Sequence, residues 1–83
     1  MTKEEFEAMW SELEKEIIYR EKALNNGIFN SGRYYDFYQK KEAVSAEKFI
    51  MESAGDFVAK TTIIEIDYER RTLYRLTVIF KKD

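Results

Sequence analysis

Apolar side chains recur at Phe6, Trp10, Leu13, Ile17 and Leu24, at spacings of four, three, four and seven, and Arg20 occupies the skipped beat. That rhythm predicts a helix whose apolar stripe repeats about every 3.5 residues, the narrow seam of a long helix packed on another element. Thr2 and Glu5 have the T-x-x-E spacing of a capping box, in which hydroxyl and carboxylate satisfy the first free amides. Asn25-Asn26-Gly27 offers a stop tolerant of left-handed backbone. The expected helix therefore runs from about Lys3 to Asn25. Its other faces are mostly Glu and Lys, with Glu16 four residues before Arg20 in the favourable orientation. Ile18 and Tyr19 lie off the stripe, as candidates for a second contact surface.

The stretch GRYYDFYQKK, Gly32 to Lys41, packs rings among charges. On a helix, Tyr34, Tyr35, Phe37 and Tyr38 gather along one arc, and Arg33, Asp36, Gln39 and Lys40 take the opposite side. On a strand, Tyr35 and Phe37 face one way, Tyr34 and Tyr38 face the other, and the charges fall between them. Because a helix separates ring from charge, the pattern predicts an amphipathic helix, capped at Asn30 or Ser31 and reaching about Glu42. Its rings are expected mainly in the core. Exposed beside cations they would form a base-stacking surface. Tyr35, at the edge of the arc, is a candidate for the rim of a protein interface, where Tyr is enriched. Ser45 then reads as a fresh N-cap, with Phe49, Ile50 and Met51 inside and Gly55 as terminator. A break near Val44–Ser45 is favoured over one continuous kinked helix.

The period changes in the last third. VAKTTIIEID and TLYRLTVIF are rich in β-branched and aromatic residues and are joined by YERR. No Asn-Gly or Asp-Gly marks the turn, so register must come from the side-chain pattern. Pairing Tyr68 with Thr72 around Glu69-Arg70-Arg71 aligns Ile66 with Tyr74, Ile64 with Leu76 and Thr62 with Val78. On the other face it sets Glu65 against Arg75. A lone hairpin is marginal in water and has two open edges. Its second face still carries Ile63, Leu73 and Ile79, so either helices cover both faces or another chain adds strands. The expected fold is α+β, with a long N-terminal helix, one or two shorter helices and a C-terminal antiparallel β-hairpin packed on the helices. Residues 1–83 are expected to form a single small domain, without internal repeat or linker.

Composition narrows the chemistry. A chain of 83 residues supports one modest core, and 16% aromatic residues imply a core built largely from rings. There is no Cys and no His, so disulfides, thiolate or imidazole catalysis and structural zinc are excluded. The three glycines are isolated, so no phosphate-cradling loop exists. Glu65, Asp67 and Glu69 line one side of a strand as a Mg²⁺ site would require, and Asp56 upstream with Glu65 sketches a metal-nuclease pattern. Asp67, however, stands where a nuclease-like pattern needs Lys. No catalytic residue, metal or cofactor is expected. The first residues lack an apolar leader and no run is long enough to span a bilayer, so a cytoplasmic protein without membrane contact is expected.

The leading expectation is a non-enzymatic protein–protein interaction module, homodimeric, in the format of a small inhibitor or adaptor such as mobile elements encode. Ile18, Tyr19, Tyr35, Ile63, Leu73 and Ile79 are its candidate interface residues. The net charge of −2 is uneven, −3 over residues 1–25 and +2 over residues 58–83, which also suits head-to-tail self-association. The alternative is a winged-helix-like DNA-binding transcriptional regulator. It would read with the Ser45–Ala54 helix and the Glu69–Arg71 hairpin tip, and grip phosphates through Lys48, Arg70, Arg71, Arg75, Lys81 and Lys82. Against it, that helix offers Glu47 and Glu52 beside Lys48, and no Arg, Asn or Gln for base edges. A third reading makes the acidic first helix, with Glu12 and Glu16, a mimic that engages a basic protein.

Overall fold

The computed structural model describes residues 1–82 and begins as the periodicity predicts. Helix α1 spans Lys3–Tyr19. The capping box is formed: the Glu5 amide donates to Thr2 Oγ1 at 3.1 Å and the Thr2 amide to Glu5 Oε1 at 3.0 Å. Trp10, Leu13 and Ile17 are the stripe it buries. The helix ends well short of Asn25. Arg20 falls on the stripe, where a guanidinium has no place in an apolar seam, and Lys22 turns the chain at φ 62°. Asn25-Asn26-Gly27 is therefore no helix stop. It opens strand β1, Asn25–Phe29.

The largest correction concerns the ring-rich stretch. Gly32–Phe37 is strand β2, antiparallel to β1 across the two-residue turn Asn30-Ser31. Tyr35 and Phe37 point into the core, and Asp36 is buried on the opposite face. The helical reading assumed that a charge must face water. Here Asp36 lies under the Arg75 side chain on the helix-free face and Arg33 is paired with Glu7 on the helical side, so a charge in this strand does not mark exposure. Gly32 is required here, because a Cβ would run into the Val78 carbonyl oxygen on the adjoining strand.

Helix α2 runs unbroken from Lys40 to Ala54, so there is no interruption at Val44–Ser45 and Ser45 is not a cap. Its start is fixed by the Gln39 amide donating to the Glu42 carboxylate at 3.0 Å. Ala43, Ala46, Ile50 and Ala54 form its buried stripe, and Gly55 caps it as expected. A short 3-10 turn, Gly55–Phe57, leads to β3 (Val58–Tyr68) and β4 (Arg71–Phe80). The expected register is off by one. Tyr68 faces Arg71, Ile64 faces Arg75 and Ile63 faces Leu76. The loop is only Glu69-Arg70, both left-handed at φ 46° and 69°, the backbone whose twist matches a hairpin. The observed register brings Ile63, Leu76 and Val78 under the helices, and that burial holds Glu69 and Arg70 in an unfavoured backbone region.

The sheet order is β1-β2-β4-β3, all antiparallel. Helix then hairpin occurs twice along the chain, and the two hairpins meet at β2 and β4, which gives the layout an approximate two-fold symmetry. Both helices pack on one sheet face, around Trp10, Ile17, Tyr35, Phe37, Ile50 and Leu76. Phe80 meets Phe6 and Trp10 edge-on, with centroids 4.8 and 4.7 Å apart. The strands that the C-terminal hairpin needed come from the chain's own Asn25–Phe37. With two α-helices among the described residues, the three-helix order of a winged helix is not formed.

Candidate functional site on the open sheet face

Strand alternation sends Tyr35, Phe37, Leu76 and Val78 towards the helices, so Tyr34, Asp36, Arg75 and Leu73 project from the other face. No helix covers them. Instead the face roofs itself. Arg75 lies directly across from Asp36 and forks onto it, Nε to Oδ1 at 2.8 Å and Nη2 to Oδ2 at 3.0 Å. The same guanidinium sits 4.3 Å from the Tyr34 ring centroid. Asp36 is 1% exposed and Arg75 35%, so the pair is sealed on its acidic side. The hydrogen bond to Asp36 pushes the Arg75 pKa above its ordinary value, against the opposing effect of burial.

Tyr34 in turn lies across Gly27, its cross-strand neighbour, whose missing side chain leaves room for the ring. Arg71 repeats the device over Tyr38, 4.4 Å from the centroid. Leu73, between the two arginines on this face, is fully buried although no helix reaches it. What stays open is the border. Ile64 is 48% exposed, and Tyr68, Tyr38 and Phe29 are also exposed. A shallow depression at one end is lined by Leu24, Tyr38, Tyr68 and Arg71.

The interface residues expected from sequence do not converge on one surface. Ile18 is half-buried and Tyr19 is 80% exposed at the end of α1, in the helical layer. Ile63 packs against the core on the helix side. Leu73 and Ile79 do reach the open face, Leu73 buried and Ile79 half-buried. Tyr35 is a correction: it is fully buried. Its hydroxyl accepts from Trp10 Nε1 at 2.8 Å and donates to Glu14 at 2.6 Å. Burial first, then the Glu14 bond, raises its pKa above the usual phenol range. Phe29, Tyr38, Ile64 and Tyr68 were missed. The strand alternative for Tyr34 and Tyr38, and the slipped register for Ile64, held the signal.

The cations proposed for phosphate binding are dispersed. Lys48 is exposed on α2, Arg70 sits in the turn beside Arg71, and Lys81 and Lys82 follow the opposite end of β4. Arg75 is committed to Asp36, which corrects its assignment as a free phosphate ligand. The acidic helix is partly committed as well. Arg33 Nη2 donates to both oxygens of Glu7, at 2.9 and 2.8 Å, and Glu14 holds Tyr35. Glu12 and Glu16 remain exposed, Glu12 with Lys15 at 3.0 Å.

Among the described residues no three Asp or Glu side chains come close enough to share a metal ion. No helix among them is long and apolar enough to cross a membrane. A scan against protein-family models finds no match, and searches of curated proteins and of solved structures find none.

Proposed function

We propose that this chain is a non-catalytic protein-interaction module that binds a second copy of itself along the β3 border of the open sheet face. The observation that carries the reading is β3 itself: eleven residues at the sheet edge, hydrogen-bonded on one side only, with Ile64 and Tyr68 exposed beside it. A long unpaired edge is a template for another strand, and burial of Ile64 and Tyr68 adds the apolar gain that an isolated backbone ladder lacks. The rest of the face supports this reading by being already neutralised. Arg75 is ion-paired with Asp36 and Arg71 lies on the Tyr38 ring, so both arginines of this face already have partners of their own. A small inhibitor or adaptor is the role that suits this format, the paired subunits leaving their helical faces free for a further protein. Sedimentation equilibrium at micromolar concentration should give twice the chain mass. A single species of monomer mass at about 100 µM would overturn the reading, because association too weak to appear at that concentration is worth less than about 5.5 kcal/mol.

A further inference from the structure

We infer that the two copies join antiparallel along β3 in the register that puts Ile64 on the two-fold axis, which fuses the two sheets into one of eight strands. The inference rests on the self-association reading above and specifies its geometry. An antiparallel pairing that keeps each sheet face continuous sets like-facing residues opposite one another, so the axis must pass through a residue rather than between two. The choices can be compared one at a time. β3 carries an irregularity between Val58 and Lys60, where Ala59 is passed over in the ladder with β4. From Lys60 to Tyr68 the strand is regular, and its midpoint is Ile64.

With the axis at Ile64, Lys60 opposes Tyr68 of the second copy, Thr61 opposes Asp67, Thr62 opposes Ile66 and Ile63 opposes Glu65. Moving the axis to Glu65 sets that carboxylate against itself, and moving it to Ile66 sets Glu65 against Asp67. Both carry a like-charge penalty. An axis at Ile63 or Thr62 draws the bulged Ala59 opposite Asp67 or Glu65; the first sets Tyr68 against Val58, beyond the bulge, and the second leaves Tyr68 with no β3 residue opposite it. The Ile64 register uses the whole regular stretch and opposes no like charges. It also lays Lys60 against a tyrosine ring at both ends, the arrangement that Arg71 and Arg75 already adopt on this face.

The backbone agrees. In a two-residue hairpin the closing pair, Tyr68 and Arg71, is hydrogen-bonded, so Tyr68, Ile66, Ile64 and Thr62 spend their amides and carbonyls on β4. Thr61, Ile63, Glu65 and Asp67 point theirs outwards, and in this register they meet one another across the junction. Ile64 then forms a non-hydrogen-bonded pair with its copy, the type with the closest side chains, Cα atoms about 4.5 Å apart.

The chain has no Cys, so the register can be read by disulfide formation without removing native thiols. Ile64→Cys, oxidised with diamide at micromolar concentration, should give a covalent dimer on a non-reducing gel. Thr62→Cys or Ile66→Cys alone should give about tenfold less, because each is then four positions from its own copy, beyond disulfide reach. The double variant Thr62→Cys/Ile66→Cys should link efficiently and leaves Ile64 intact, so it tests the register even if Ile64→Cys folds poorly. A chain that is dimeric by sedimentation but links best at Thr62, Ile63 or Ile66 alone, or at none of them, overturns this register and leaves self-association standing. A monomeric chain overturns both.

Discussion

Replacing Tyr35 with phenylalanine deletes one oxygen atom, and the structure says where the cost falls. That oxygen is the acceptor for Trp10 Nε1 and the donor to Glu14. Trp10 is 1% exposed, so in Tyr35→Phe its N–H is left without a partner or access to water. A stranded buried donor costs about 1–3 kcal/mol, whereas Glu14, only half-buried, recovers much of its loss from solvent. The expected destabilisation is about 2–3 kcal/mol. For a domain of this size that lowers Tm by roughly 8–24 °C. Urea titration followed by the fluorescence of Trp10, the sole tryptophan, reads the loss directly. Trp10→Phe removes the donor, so Tyr35→Phe should cost about 1 kcal/mol less in that background, measured by circular dichroism. The pH dependence has a definite sign. The folded pKa of Tyr35 is raised, so its contribution is complete below the ordinary phenol value near 10 and is lost as pH rises above it, at up to about 1.4 kcal/mol per unit. Tyr35→Phe should abolish that alkaline slope. A change below about 0.5 kcal/mol, with the slope intact, would refute the reasoning.

Removing either side of the Asp36–Arg75 pair should be unequal. Arg75→Leu leaves a carboxylate that is 1% exposed without a counter-charge and should cost about 3–5 kcal/mol, while Asp36→Asn leaves a guanidinium that still reaches water and should cost about half of that; thermal melts giving the reverse order would contradict the assignment. Glu69→Asn with Arg70→Gly relieves two left-handed residues and should raise stability by about 1–2 kcal/mol in urea melts, with no gain expected if the loop were the longer one. Glu5 is held below the ordinary carboxylate range by its bonds from Thr2, so its support of α1 is present at neutral pH and is lost as pH falls through that lowered value. In Thr2→Ala the carboxyl should titrate higher by NMR.

What was legible in the sequence is what is decided locally. The α+β class, the capping box at Thr2 and Glu5, the stripe of Trp10, Leu13 and Ile17, and the stop at Gly55 each depend on neighbours within a turn or two. The end of α1 was less legible: Arg20 on the stripe is its local signal, and the seven-residue step to Leu24 hides it by carrying the rhythm on towards Asn25. Gly32–Phe37 was not legible in this way. Its charges are buried by partners remote in sequence, Arg75 for Asp36 and Glu7 for Arg33, and a pattern test that reads charge as exposure converts such a strand into a helix. Nor can a window distinguish Tyr34 from Tyr35. Only the helix packed above one of them makes it core. The hairpin register had no glycine to fix it, and the one-residue difference moved Ile64 and Ile66 from the expected core to the open side, which is why the border of the candidate site was hidden.

The topology also constrains how the molecule is made. β2 and β3 do not touch, and each reaches the other only through β4, the last strand in chain order. During synthesis the first hairpin and its helix emerge early, yet the centre of the sheet is an empty slot until Arg71–Phe80 has left the ribosome. Until then Tyr35, Phe37 and the inner edge of β3 stay uncovered, an interval in which a chaperone or a premature neighbour has its opportunity. A chain truncated after Arg70 should remain protease-sensitive throughout, and restoring Arg71–Phe80 should close the whole structure in a single step.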